Sequence, residues 1–188
     1  MKRIMPLIVL AIAFPGQAAT QDCPKQNVIQ SVVSDMPSFK EVSPLDFGTI
    51  RSAKAWLSRG GKKLNVLLSN GDFSAEAMAN DYVLPLKTKS EFILVVTFLN
   101  GDKPIVEGDY SPAAGYGKPF WAFAEIRVLV GPKGTNVSFG VIEGSARLLS
   151  MKNGRVCGTF NLAKKNAKNE ITASVVGEFN VEMEMSKF

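Results

Sequence analysis

Few side chains in this chain could do acid–base, nucleophilic or metal chemistry, and none of its 188 residues is a histidine. This excludes Ser-His and Cys-His catalysis and every zinc site that uses imidazole. The two cysteines, Cys23 and Cys157, are expected to bond to each other, which removes a thiol nucleophile. An enzyme would therefore have to use paired carboxylates, a Ser-Lys arrangement or an oxygen-ligated metal such as calcium.

Glu125 is the carboxylate best placed to contribute to a site. Strand alternation puts it on one face with Phe123 and Arg127. If that face lines a cleft, the Glu125–Arg127 pair beside Trp121 and Phe123 resembles a ligand pocket. If it faces water, the pair is a surface ion pair worth about 0–1 kcal/mol. A two-carboxylate glycosidase needs a second acid within roughly 5–9.5 Å, and the spacing nominates none, so we name no catalytic residue.

The other candidate acids are Asp72, Asp102, Glu107 and Asp109. The three aspartates follow Asn-Gly or Gly and are expected in turns, where aspartate usually bonds its own backbone. No segment has the ligand spacing of an EF-hand loop. The sequence therefore predicts no metal site and no cofactor.

The segment 109–121 (DYSPAAGYGKPFW) is the strongest candidate for recognition. It places aromatic residues among glycines and prolines, with one lysine as a polar partner: Tyr110, Tyr116, Lys118, Phe120 and Trp121. Rigid aromatic loops suit recognition because planar side chains give contact area at a small cost in entropy, and aromatic faces also stack on sugar rings. The alternative is that these rings point inward and close one end of the domain.

The N-terminus has the pattern of a signal peptide. Lys2 and Arg3 precede an apolar run over 4–14, and Gly16 and Ala18 suit cleavage after residue 18. The run is shorter than the ~20 residues that span a bilayer, so the mature chain is expected to have no transmembrane segment. Cleavage lowers the formal charge of +5 by two, and the remaining charges are scattered, which gives no case for nucleic-acid binding.

Export would place the two cysteines in an oxidising compartment, secreted or periplasmic. A Cys23–Cys157 disulfide would attach the N-terminal segment to a late strand and contribute roughly 4–5 kcal/mol in the chain-entropy model. A free buried thiol and an intermolecular bond are the alternatives.

The rest of the chain alternates between strand patterns and turn signals. Apolar residues at three- and four-residue spacing predict one helix over 24–36, and Ser74 could cap a helical turn over 73–80. Period-two runs follow, of which 171–185 is the longest, with Gly177 as the expected place for a bulge. Three Asn-Gly dipeptides, at 70, 100 and 153, indicate hairpin turns and antiparallel pairing.

These patterns predict an all-β fold of about eight to ten strands, with one short N-terminal helix. An antiparallel β-sandwich is favoured over a flattened barrel. The predicted divisions are a signal peptide over 1–18, the helix and its connection over 19–45, and the β domain over 46–188.

The sequence favours an exported, non-catalytic binding or interaction module. Its ligand-binding set is the five residues of the 109–121 segment together with Glu125 and Arg127. The ligand is a glycan, a small apolar molecule or another protein of the envelope or extracellular space. The alternatives are a hydrolase that uses Glu125 as acid or base, and a structural protein of envelope assembly.

Overall fold

The computed structural model describes residues 22–34, 47–72, 86–88, 90–130, 135–141 and 143–185, which are almost entirely β-structure. The strands are β1 (Val28–Ser34), β2 (Ser52–Leu57), β3 (Lys63–Ser69), β4 (Phe92–Leu99), β5 (Gly108–Tyr110), β6 (Trp121–Val130), β7 (Thr135–Val141), β8 (Glu143–Lys152), β9 (Arg155–Lys165) and β10 (Ile171–Met185). The predicted signal peptide and the helical turn over 73–80 lie outside these ranges. Within them, no helix is long and apolar enough to cross a membrane.

All ten strands belong to one sheet, ordered β5-β8-β9-β10-β2-β3-β4-β6-β7, with β1 paired to β10 beside this path. Neighbours are antiparallel except β10 and β2, which run parallel where 182–185 pairs with 54–57. β7, at one end of the path, is separated by one residue from β8, which is next to the other end, and the sheet nearly closes. The predicted all-β fold is therefore confirmed, and a sandwich or a flattened barrel describes its shape.

The predicted N-terminal helix is wrong. Residues Val28–Ser34 instead form β1, antiparallel to β10. The register shifts between Ile29 and Ser31, and this bulge interrupts the period-two alternation by which a strand is recognised. The residues that set the helical spacing are largely β-branched, and such residues favour a strand where a strand edge is available to pair with.

Two sets of contacts attach the N-terminal segment to the sheet. Cys23 and Cys157 form a disulfide with their Cα atoms 5.7 Å apart, which confirms the predicted pairing. The Asn180 backbone N–H donates to Asn27 Oδ1 at 2.8 Å, and Asn180 Nδ2 donates to the Pro24 carbonyl at 2.9 Å. These contacts place β1 on the part of the β10 edge that β2 leaves unpaired.

The core lies on the inner face of the sheet. It consists of alternate residues, including Leu64, Val66 and Leu68 on β3, Phe92, Leu94, Val96 and Phe98 on β4, Ala122, Ala124, Ile126 and Val128 on β6, and Phe160 and Phe179 on β9 and β10. On the outer face, Leu67, Leu86 and Ile93 form a second cluster against Trp56 and Val95. β4 is therefore covered on both faces, as its continuous apolar run predicts.

Two glycines allow the largest rings of the core to fit between β9 and β10. Gly158 pairs with Phe179 and Gly177 with Phe160. A Cβ on Gly158 would lie 2.8 Å from Phe179 Cζ, and one on Gly177 would lie 2.5 Å from Phe160 Cζ. Gly177 also pairs with Ile29, so the bulge expected at this glycine lies in the partner strand β1.

Of the three Asn-Gly dipeptides, one forms the predicted two-residue hairpin. Asn153 and Gly154 connect β8 to β9 with φ angles of 54° and 70°, as such a turn requires. Asn70-Gly71 ends β3, where Asn70 Nδ2 donates to the Ser90 carbonyl. Asn100-Gly101 starts the long connection from β4 to β6, which carries the 109–121 segment.

Candidate ligand-binding surface

Residues 109–121, here called the rim loop, follow a defined path beside the end of β4 and the start of β6. The Ser111 N–H donates to the Phe120 carbonyl at 2.8 Å, which closes the loop at its base. Inside it, Pro112–Ala114 form one 3₁₀ turn capped by the Ser111 side chain. Gly115 and Gly117 have φ angles of 87° and 74°, which side chains with a Cβ rarely adopt. These constraints hold the Tyr116 side chain between two tight backbone bends.

The first aromatic stack of the rim loop lies on the outer face of the sheet. Tyr116 is 82% exposed, and its ring contacts the Trp121 ring edge-on, with centroids 5.2 Å apart. Trp121 is 8% exposed and packs against Phe123 at 4.8 Å. A largely exposed ring is thus supported by a buried one, which fixes its position without covering it.

The second stack starts from the inner face. Phe120 is 43% exposed, and its ring lies 5.4 Å from that of Tyr110, which in turn contacts Phe98 edge-on at 5.2 Å. The φ angle of Phe120 is 57°, the left-handed region that a bulky residue seldom occupies. Strain of this kind is retained where surrounding contacts impose it, and it is concentrated at functional sites.

Tyr110 itself lies in the core and is 1% exposed. Its hydroxyl donates to the Val106 carbonyl at 2.8 Å and accepts from the Val106 N–H at 3.2 Å. Burial raises the pKa of the phenol, and the backbone hydrogen bond with Val106 acts in the opposite direction. In this structure Tyr110 supports Phe120 and orders the segment around Val106, and its ring is not exposed to solvent.

Lys118 is exposed beside Tyr116, where its N–H donates to the Gly115 carbonyl at 3.1 Å. No acidic side chain lies within ion-pair distance of its ammonium group among the residues that the structure describes. The lysine is therefore able to contact an anionic or polar group of a ligand.

Glu125 and Arg127 lie on the same outer face as Trp121, but farther along β6. Arg127 Nε donates to Glu125 Oε1 at 2.8 Å, and the two side chains are 23% (Glu125) and 16% (Arg127) exposed. Opposite them on β4 are Val95 and Ile93. At ~3.3 Å per residue, Glu125 is roughly 13 Å from Trp121 along the strand. The charges of Glu125 and Arg127 therefore compensate each other beside the second hydrophobic cluster, away from the rim loop.

A polar row on the outer face was not anticipated from the sequence. Thr97 Oγ1 donates to Asn65 Oδ1 at 2.8 Å, and the pair is flanked by Phe123 on β6 and Trp56 on β2. Among the described residues, Trp56 Nε1 is buried without a hydrogen-bond partner. These four residues lie on four strands, so no local pattern could connect them.

Three of the four other candidate acids, Asp102, Glu107 and Asp109, have partners in the structure. Asp102 lies 3.6 Å from Lys62, and Asp109 lies 3.5 Å from Arg147. Glu107 Oε1 accepts from the Met151 N–H at 2.9 Å. Within the described ranges, no three Asp, Glu, Cys or His side chains come together as a metal site would require.

Comparison with known protein families, with curated proteins and with solved structures finds no match to this chain. A function for the rim loop must therefore be inferred from its own geometry and charge.

Proposed function

We propose that this protein is an exported, non-catalytic binding module that contacts its ligand through the rim loop. The observation that carries the proposal is the position of Tyr116, which is 82% exposed while its ring rests on the buried ring of Trp121. Phe120 is exposed in the same way, and its ring rests on the buried ring of Tyr110. Two aromatic side chains of one loop, each resting on a buried ring, are thus exposed by a backbone that is already fixed.

This arrangement favours binding because little freedom is lost when a ligand covers rings that are already ordered. Aromatic residues in such positions commonly contribute most of the binding free energy of an interface. A glycan, a small apolar molecule or a protein surface each offers the flat or apolar contact that these rings would cover.

Export is supported by the N-terminal pattern and by the disulfide. The Cys23–Cys157 bond is of a kind that persists in oxidising compartments and is rare in reducing ones. The same bond leaves no thiol in the chain for covalent catalysis, since it uses both cysteines.

The test is a melting-temperature screen of the oxidised protein against soluble oligosaccharides, detergents below their micellar concentration, and lipid vesicles. A ligand present at 100 times its Kd adds about 2.7 kcal/mol to the free energy of unfolding. That gain should raise the melting temperature by roughly 5–10 °C for a protein of this size.

Tyr116→Ser is the variant that decides the site, because Tyr116 is exposed and its removal leaves the core intact. Ile171→Ser is the matched control, since Ile171 is also exposed but lies at the other end of the sheet. The proposal requires that Tyr116→Ser removes the ligand-induced shift and Ile171→Ser keeps it. A ligand whose shift survives Tyr116→Ser would place the site elsewhere.

A further inference from the structure

The exposed large hydrophobic side chains of the described residues are concentrated at one end of the sheet. Five are exposed: Val106, Tyr116, Phe120, Ile171 and Met185. β10 runs parallel to β2, and β2 runs in the same direction as β4, so the ends of β10 and β4 lie at the same end of the molecule. Met185 and the rim loop are therefore at this end, and Ile171, at the start of β10, is at the opposite one.

The turns at this end form one continuous surface around the rim loop. The Ile105 N–H donates to the Gly61 carbonyl at 2.7 Å, which joins the turn after β2 to the segment before β5. A Cβ on Gly101 would lie 3.4 Å from Pro119 Cδ, so the turn after β4 packs against the rim loop. Val106 is hydrogen-bonded to Tyr110, on whose ring Phe120 rests.

The charges on these turns are not balanced. Three cations have no acidic side chain within ion-pair distance among the described residues: Arg59, Lys103 and Lys118. Among the acids of the same turns, Asp102 pairs with Lys62 and Asp109 with Arg147, whereas Glu107 accepts from the Met151 N–H and has no cationic partner among the described residues. The turns that carry the exposed apolar and aromatic side chains therefore hold three unpaired cations against one unpaired acid, which leaves a net positive charge at this end.

We propose that this end of the protein docks on an anionic lipid surface. The docking residues, here called the rim surface, are Arg59, Lys103, Val106, Tyr116, Lys118 and Phe120. The inference rests on the proposed function, because it names the partner of the same loop. Exposed apolar patches mark interaction sites, tyrosine favours the lipid headgroup region, and lysine and arginine near an anionic bilayer attract it.

The combination fits a lipid surface better than a soluble sugar or a folded protein partner. The aromatic and aliphatic side chains of the rim surface would enter the headgroup region, while the cations that surround them would remain at the level of the lipid phosphates. An acidic protein partner would also meet these cations, and the choice of vesicle composition separates the two.

The experiment is co-sedimentation of the oxidised protein with vesicles of phosphatidylcholine alone and of phosphatidylcholine mixed with phosphatidylglycerol. Binding is expected to the mixed vesicles and to weaken as salt is raised. Tyr116→Ser combined with Phe120→Gly should remove most of the binding. Lys118→Ala should weaken it about fivefold, as expected for one basic residue near an anionic surface. Matched controls at the opposite end are Ile171→Ser and Lys168→Ala, and neither should change it.

The lipid inference is overturned if both vesicle types bind equally, if neither binds, or if the opposite-end variants lose as much binding as the rim variants. Its failure is distinct from that of the proposed function. If vesicles do not bind but Tyr116→Ser removes the melting shift given by a soluble oligosaccharide, the rim loop remains a binding site with a different ligand. If Tyr116→Ser changes neither measurement, both proposals fail.

Discussion

At the residue scale, the aromatic side chains of the rim loop divide into those that are exposed and those that support them. The sequence predicted recognition by this segment, which stays a prediction, and gave as the alternative that its rings point inward, which describes two of the four rings. Tyr116 and Phe120 are exposed, whereas Tyr110 and Trp121 are buried. Composition could not separate them, because the burial of Tyr110 depends on the pairing of β5 with β8, which is distant in sequence.

Phe120 provides a direct test of backbone strain in this loop. Its φ angle of 57° is costly for any residue with a Cβ and nearly free for glycine. Phe120→Ala and Phe120→Gly remove the same ring contacts with Tyr110 but differ in backbone strain. We expect Phe120→Gly to be more stable than Phe120→Ala by about 1 kcal/mol, measured by urea unfolding. Because glycine loses more backbone entropy on folding than alanine, an unstrained position would make Phe120→Gly the less stable variant, and that result would contradict the strain.

At the element scale, β1 is the element that the local sequence pattern predicted wrongly, as a helix instead of a strand. Val28, Ile29, Val32 and Val33 have helical spacing. Their partners on β10, from Ser174 to Glu178, lie far away in the sequence, and pairing with them makes the four residues extended, as β-branched residues prefer. Long period-two runs such as β10 and the Asn153-Gly154 hairpin were predicted correctly because their signals are local. The other Asn-Gly turns were not hairpins, since longer connections follow β3 and β4.

The disulfide and β1 should act as one stabilising unit. Replacing both Cys23 and Cys157 with serine is expected to cost about 4–5 kcal/mol, because the bond closes a loop with a sequence separation of 134. The melting temperature should fall by roughly 10–15 °C. Hydrogen exchange should show the β10 amides that bond to β1 losing protection before those that bond to β9. If both sets lose protection together, β1 does not open separately from the rest of the sheet.

At the scale of the whole molecule, the sequence predicted an antiparallel β-sheet, but it did not predict that the sheet nearly closes. The strand patterns indicate antiparallel pairing, yet nothing in them predicts that β10 and β2 run parallel or that β7 continues into β8. The same non-local pairing brings the turn after β2, the turn after β4 and the rim loop together. Of the residues in the proposed rim surface, the sequence singled out Tyr116, Lys118 and Phe120, but not Arg59, Lys103 or Val106.

The stability of the whole molecule should fall at alkaline pH. Hydrogen bonds to Glu184 and Glu182 raise the pKa of Lys54, and burial raises the pKa of Tyr110. Above about pH 10 the unfolded chain loses these protons before the folded one does, so the free energy of unfolding decreases as pH rises. Below about pH 10, the contribution of both groups to the free energy of unfolding is fully present.

Urea unfolding from neutral pH to about pH 11 measures this slope, at constant ionic strength. Tyr110→Phe combined with Lys54→Gln should be less stable at neutral pH and should show a shallower decrease above about pH 10. The same slope in the double variant would show that other groups cause the loss of stability at alkaline pH. A rise in stability over this range would contradict the sign of both shifts.

The central claim is that the protein binds through the rim loop, and the fluorescence of Trp121 tests it most directly. The chain has two tryptophans, so Trp56→Phe leaves Trp121, in contact with Tyr116, as the only reporter. Titration with vesicles containing phosphatidylglycerol should change its emission to saturation, and Tyr116→Ser combined with Phe120→Gly in the same background should remove most of the change. If vesicles bind and the emission of Trp121 stays constant, or if the full change persists in the double variant, the rim loop is not where this protein binds.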